Sequence, residues 1–149
     1  MKKLLLAAIV SLTTISSVAL AEIKVGIILG FTGPIETLTP AMRDSAKLAF
    51  AEVSASGALL GGETITPLIG DSTCIDSDAA VAAAELIVSD GAVAIMGADC
   101  SGVTGAIATN VAVPNGVTMV SPSATSPGLT SLADNGLFFR TAPSDAKGG

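Results

Sequence analysis

Residues 92–125 read AVAIMGADCSGVTGAIATNVAVPNGVTMVSPSAT, and they hold one complete repeat of the chain's architecture. Ala92 to Met96 is an uninterrupted apolar run, the pattern of a strand buried on both faces. Gly97 to Ser101 is a tight loop, and a helix is predicted from about Gly102 to Val111. Pro114-Asn115-Gly116 makes a turn, and a second apolar run, Val117 to Val120, ends at Ser121-Pro122. Strand, helix and strand in this order form a βαβ unit, whose two strands run parallel.

The alternation continues on either side. Ile23 to Leu29 (IKVGIIL) predicts a first buried strand, and Phe31 to Thr39 a loop with Gly33-Pro34 as its turn. Pro40 is suited to open a helix over Ala41 to Ser54, where Met42, Ala46, Ala49, Phe50 and Val53 fall at helical spacing. Thr64 to Ile69 predicts a second strand, which Pro67 confines to a sheet edge or a bulge. Asp76 is placed to cap a helix over Ser77 to Ser89, ended by Asp90-Gly91. Downstream, a loop rich in Ser, Thr, Pro and Gly leads to a last strand, Leu137 to Thr141. This order predicts an α/β fold: a doubly wound, mostly parallel sheet with helices on both faces. No linker or second domain is visible.

Residues 1–21, MKKLLLAAIVSLTTISSVALA, read as a secretory signal peptide. Lys2 and Lys3 give the positive start, Leu4 to Val10 the apolar segment, and Ala19-Leu20-Ala21 the small-residue cleavage site. Ser11, Thr13, Thr14, Ser16 and Ser17 make the segment too polar for a good membrane anchor. Cleavage after Ala21 is expected, with a domain from Glu22 to Gly149 exported to the periplasm. No Cys follows the cleavage site, so a lipid anchor is not expected.

Composition narrows the function. Seven basic residues stand against 13 acidic ones, a net charge of −6, and two of the seven lie in the leader. Such a chain, without a basic cluster, is a poor binder of nucleic acid or anionic lipid. It has no Trp, Tyr or His. Without His, a Ser-His-Asp triad and the commonest metal ligand are both excluded. No nucleophile elbow, phosphate loop or dinucleotide fingerprint is present. Asp71, Asp76 and Asp78 lack the spacing of a calcium loop. Glu36 and Asp99 read as solvated loop acids. No catalytic residue, metal or cofactor is expected.

Cys74 and Cys100 are the only cysteines. In an exported protein an even pair reads as a disulfide, worth about 3.5 kcal/mol by chain entropy. The alternative is two buried, reduced thiols. Two cysteines without His do not make a zinc site.

Ligands of open parallel sheets bind beyond the carboxyl ends of the strands. Three loops leave those ends: Gly30 to Pro34, Gly97 to Gly102, and Ser121 to Ser126. Ser101 directly precedes a helix start, where free N–H groups and the dipole favour an anion. Ser101, Ser123 and Thr125 with those N–H groups would hold a carboxylate. The plainer roles are a helix N-cap for Ser101 and turn chemistry for Ser123 and Thr125.

The stretches IKVGIILGFTGP, GDSTCIDSDAAVAAAELIVSDGAVAIMGADCSGVT, VSPSATSPGLT and LFFRTAPSD, in this order and spacing, resemble the periplasmic branched-chain amino-acid-binding proteins. These are the Leu/Ile/Val-binding type of type I periplasmic binding protein that serves ABC transporters. The resemblance implies two α/β lobes closing on a solute, of which this chain would be the first, incomplete, with the second lobe absent after Gly149. It implies a Cys74–Cys100 disulfide. It also implies a solute carboxylate held by Ser101, by Thr125, and by backbone around Ser123 and Ala124. Leu38 stands where an aromatic wall is common, and Asp99 stands where a neutral residue is common and would repel a nearby carboxylate.

The expected function is therefore not enzymatic: an extracytoplasmic receptor that delivers an amino acid or related carboxylate to an ABC permease by hinge closure, with no nucleic-acid partner. The alternatives are the sensory module of a signalling receptor and an exported α/β hydrolase-like enzyme. A spanning helix and kinase-like sequence downstream would favour the first. Turnover of a substrate would favour the second.

Overall fold

The computed structural model describes residues 22–147; the expected leader, residues 1–21, lies outside them. The apolar runs form strands β1 (Glu22–Leu29), β2 (Thr64–Asp71), β3 (Ala94–Gly97), β4 (Thr118–Ser121) and β5 (Phe138–Arg140). Between them lie α1 (Thr39–Ser56), α2 (Ser77–Ser89) and α3 (Ser101–Ile107). The strands make one sheet in the order β2-β1-β3-β4-β5, every pair parallel. The chain steps from β1 to β2 on one side, then crosses back over β1 to β3. Right-handed crossovers in opposite directions put α1 on one face and α2 with α3 on the other. The switch point, where a crevice opens, lies between β1 and β3.

The α2/α3 face holds the main core: Ile28, Ile95, Met119 and Phe138 from the sheet against Ala80, Ala84, Ile87, Val103, Ile107 and Val111. Small residues allow the close approach. A Cβ on Gly26 or Gly70 would come within 2.8 or 2.7 Å of the Ile87 side chain. These two glycines open the slot that Ile87 fills. The opposite face is less covered. Ile27 and Leu29 are fully buried, but Met96 and Val120 are half-buried and Phe139 is 53% exposed. On α1, Met42, Ala46 and Phe50 are half-buried, while Ala49 and Val53 turn outward.

Several boundaries differ from expectation, each for a local reason. β3 starts at Ala94; the Ala92 N–H closes the end of α2 on the Ile87 carbonyl, and the Val93 N–H reaches the Lys24 carbonyl of β1. β4 starts at Thr118, because the Val117 N–H is taken by the Ala112 carbonyl. The third helix starts at Ser101 and passes into a π-helical turn, Ala108–Ala112. The Ser/Thr/Pro/Gly loop contains a 3-10 turn, Pro127–Ser131, which buries Leu129 in the core. Pro67 lies on the edge strand β2, where its missing N–H is tolerated. Among the described residues no helix is long and apolar enough to cross a membrane.

Candidate ligand-binding site

A strand's end leaves loop amides that need acceptors. Two aspartates at strand ends supply them. Asp71, the last residue of β2, accepts through Oδ1 from the N–H groups of Phe31 (2.9 Å), Thr32 (3.3 Å) and Thr73 (2.8 Å). Its Oδ2 accepts from the Thr32 hydroxyl at 2.6 Å. Partial burial pushes the Asp71 pKa up, but the Thr32 hydroxyl and the three N–H donors together hold it below the ordinary value.

Asp99 is a correction to the sequence reading. It is not a solvated loop acid but is 5% exposed. Its carboxylate accepts from the Gly30 N–H (2.8 Å), the Ser72 hydroxyl (3.3 Å) and the Cys100 N–H (2.9 Å). It thus joins the loops after β1, β2 and β3. Its oxygens are engaged within the chain, so the expected repulsion of a nearby carboxylate is moderated by three donors. Glu36 is exposed, as expected.

Cys74 and Cys100 form a disulfide between the loops after β2 and β3, with Cα atoms 5.2 Å apart. Gly30 lies against it: an added Cβ would stand 3.2 Å from the Cys74 Cβ. Gly97, where β3 ends, has φ 137°, and a Cβ there would meet the Ile28 carbonyl oxygen at 2.0 Å. Only glycine fits this approach of two strand ends.

Ser101 is not the N-cap of α3. Cys100 holds that position, and no side chain caps the helix. Ser101 is the first helical residue, and its Oγ accepts from the Thr125 and Ser126 N–H groups, each at 3.1 Å. The Ser123 hydroxyl donates to the Asp99 carbonyl at 3.0 Å, a contact between loops rather than within a turn. Ala124 is fully buried, and its N–H donates to Ser121 Oγ at 3.0 Å. Ser121 is itself buried and donates to the Ala98 carbonyl. Thr125 is half-buried, and its carbonyl accepts from the Asp145 N–H at 3.0 Å.

The fold therefore brings Ser101, Ser123, Ala124 and Thr125 into one hydrogen-bonded seam between the start of α3 and the loop after β4. Among the described residues, the Thr125 hydroxyl, the Ser101 hydroxyl hydrogen and the Ser123 N–H have no partner. These are hydrogen-bond donors on an open shelf. A cavity of about 410 Å³ is lined by Pro127, Thr130, Arg140, Pro143, Ser144 and Lys147 among others, and by none of the four residues of the seam. Among the described residues no group of three or more His, Cys, Asp or Glu is placed to hold a metal. Asp71, Ser72, Asp99 and Arg140 were not anticipated as supports of the shelf. The available signal was an Asp at or just past a strand end, where it can accept from loop amides.

The chain as a whole has known relatives. The sequence profile described as periplasmic binding protein matches residues 22–149, and the chain belongs to that family. It is 33% identical over 128 residues to the Leu/Ile/Val-binding protein BraC3 of Rhizobium johnstonii, a match covering 86% of this chain and 34% of that protein. Among solved structures it is similar to the branched-chain amino acid transporter substrate binding protein LivJ of Streptococcus pneumoniae in complex with isoleucine. That match has a TM-score of 0.74 at 28% identity and covers 85% of this chain and 35% of that one. It is also similar to an ABC-transporter solute binding protein of R. palustris in complex with 4-hydroxybenzoate. There the TM-score is 0.68 at 25% identity, covering 83% of this chain and 32% of that one. The chain thus spans about a third of the length of these relatives.

Proposed function

We propose that this chain is the first lobe of a periplasmic solute-binding protein of an ABC transporter, and that it holds the carboxylate of an amino acid of the branched-chain type. The observation that carries the reading is the shelf of unpartnered donors from Ser101, Ser123 and Thr125. A carboxylate is acceptor-only, so it matches a surface whose unpartnered groups can each donate. Ala124, buried with its N–H engaged, keeps the loop in shape beneath that contact. The start of α3 adds the positive end of its dipole. A second lobe would close over the solute and supply the remaining contacts, and the closed form would dock on the permease. Export depends on the leader, with cleavage after Ala21. The role is binding.

Calorimetry on the full-length protein tests the reading, with L-leucine, L-isoleucine, L-valine and 4-hydroxybenzoate as probes. One of the three amino acids should bind, and Ser101→Ala and Thr125→Val should each weaken it by about tenfold. Unchanged affinity in both variants would remove the shelf from the site.

A further inference from the structure

We propose that Arg140 is the positioning residue that sets the Thr125 hydroxyl for the solute, without touching the solute itself. Arg140 ends β5 and pairs in register with Ser121, the last residue of β4. Its side chain is half-buried, and among the described residues it has no carboxylate partner, whereas Arg43 is paired with Asp44. A partly desolvated guanidinium without a counter-ion favours other acceptors. It finds them on the two carbonyls that flank Thr125. Nη1 donates to the Ser126 carbonyl at 2.8 Å and to the Ala124 carbonyl at 3.4 Å, and Nη2 donates to the Thr130 hydroxyl. Thr141 adds to the grip, its N–H on the Ser121 carbonyl and its hydroxyl on the Pro122 carbonyl.

Thr125 is thereby fixed from every side by which its backbone could move. Its N–H is on Ser101, its carbonyl takes the Asp145 N–H, and the carbonyls of the residues before and after it are both held by Arg140 Nη1. Only its hydroxyl is left unengaged among the described residues. The planar guanidinium presents its donors to the two carbonyls and the hydroxyl in one fixed geometry, whereas the three donors of an ammonium rotate. The inference rests on the role proposed for Thr125 above.

The test uses the full-length protein with Arg140→Lys, Arg140→Met, Thr125→Val and the double variant Arg140→Lys with Thr125→Val. Two readouts separate this proposal from the proposed function. Amide hydrogen exchange at Thr125 and Ser126 needs no solute. It should speed up by about tenfold in Arg140→Lys, more in Arg140→Met, with the amides of β3 and β4 unchanged. L-Leucine affinity should fall by about tenfold in Arg140→Lys, but by less than about threefold when Thr125 is already valine. Should Arg140→Met fail to fold, Arg140→Lys carries both readouts. Unaltered exchange at Thr125 and Ser126, or an affinity loss just as large in the Thr125→Val background, would overturn the proposal. Absence of leucine binding in the unaltered protein would count against the proposed solute, and the exchange data would then decide the role of Arg140.

Discussion

A carboxylate that is 5% exposed, as Asp99 is, has to find its donors inside the protein. Asn in its place keeps one acceptor oxygen but turns an NH2 group toward either the Gly30 N–H or the Ser72 and Cys100 donors. Asp99→Asn is therefore expected to cost about 2 kcal/mol in urea unfolding, by leaving buried donors without an acceptor. Gly97 permits a second test at one position. With φ 137° and the Ile28 carbonyl 2.0 Å from an added Cβ, Gly97→Ala should cost about 3 kcal/mol or more. Gly102→Ala, where an added Cβ meets nothing within 4 Å, should be neutral or raise stability by up to about 1 kcal/mol. Equal effects of the two alanines would refute this geometry. These residues show where sequence reading stops. The types at 99 and 97 are plain in the chain, but their partners are distant: Gly30 lies 69 positions from Asp99 and Ser72 lies 27. Periodicity and short motifs carry information about neighbours only. Ser101, Ser123 and Thr125 were legible as site candidates because loops at strand ends gather ligands in this topology. The use of Ser101 as acceptor for the loop after β4 was not legible.

Among the elements, those governed by local chemistry matched their sequence signals most closely. α2 runs from Ser77 to Ser89 as expected, with the Asp76 carboxylate accepting from the Asp78 and Ala79 N–H groups at 3.1 and 3.0 Å. Asp76→Ala should cost about 1 kcal/mol, read as a lower urea midpoint. The strand starts at Ala94 and Thr118 departed from expectation, and in each case an apolar residue expected in the strand, Ala92 or Val117, bonds instead to the preceding helix. The 3-10 turn at Pro127–Ser131 was hidden by loop-like composition, since the burial of Leu129 is a tertiary event. The loop after β1 depends on Asp71, and this gives it a pH dependence. The folded state holds the Asp71 pKa below the ordinary value of about 3.9, so the unfolded chain binds its proton first as pH falls. The stabilisation is complete above about pH 5 and is lost as pH drops below about 4. Asp71→Asn lacks it. The stability gap between the two proteins should be flat near neutrality and narrow in that acid window, measured by urea unfolding at several pH values. A gap that widened on acidification would contradict the sign.

For the molecule as a whole, alternation of strands and helices implied a doubly wound sheet, and all strand pairs are parallel. The unequal cover of its faces was not legible, because one helix of helical spacing looks like any other until the sheet order is known. α1 lies over Ile27 and Leu29 and leaves Phe139 largely open, whereas α2 and α3 enclose the main core. The candidate site sits where these unequal layers meet the strand ends, so its order depends on links between loops rather than on burial. The disulfide is the covalent one. Cys74 and Cys100 are 26 positions apart and bracket α2 and β3. In the unfolded chain that closed loop restricts conformations that the folded chain never uses. Replacing both cysteines with serine should therefore lower stability by about 3.5 kcal/mol, with helix content unchanged because α2 keeps its cap and its packing through Ile87. Beyond stability, Cys74 flanks Gly30 and Cys100 precedes Ser101. Amide exchange at Gly30 and Thr125 should accelerate in the double variant under conditions where it remains folded. Unfolding by urea and exchange in the same samples separate the two effects: a stability loss with unchanged exchange would confine the bridge to the unfolded chain, and faster exchange would make it part of the shelf that holds Ser101 beside Thr125.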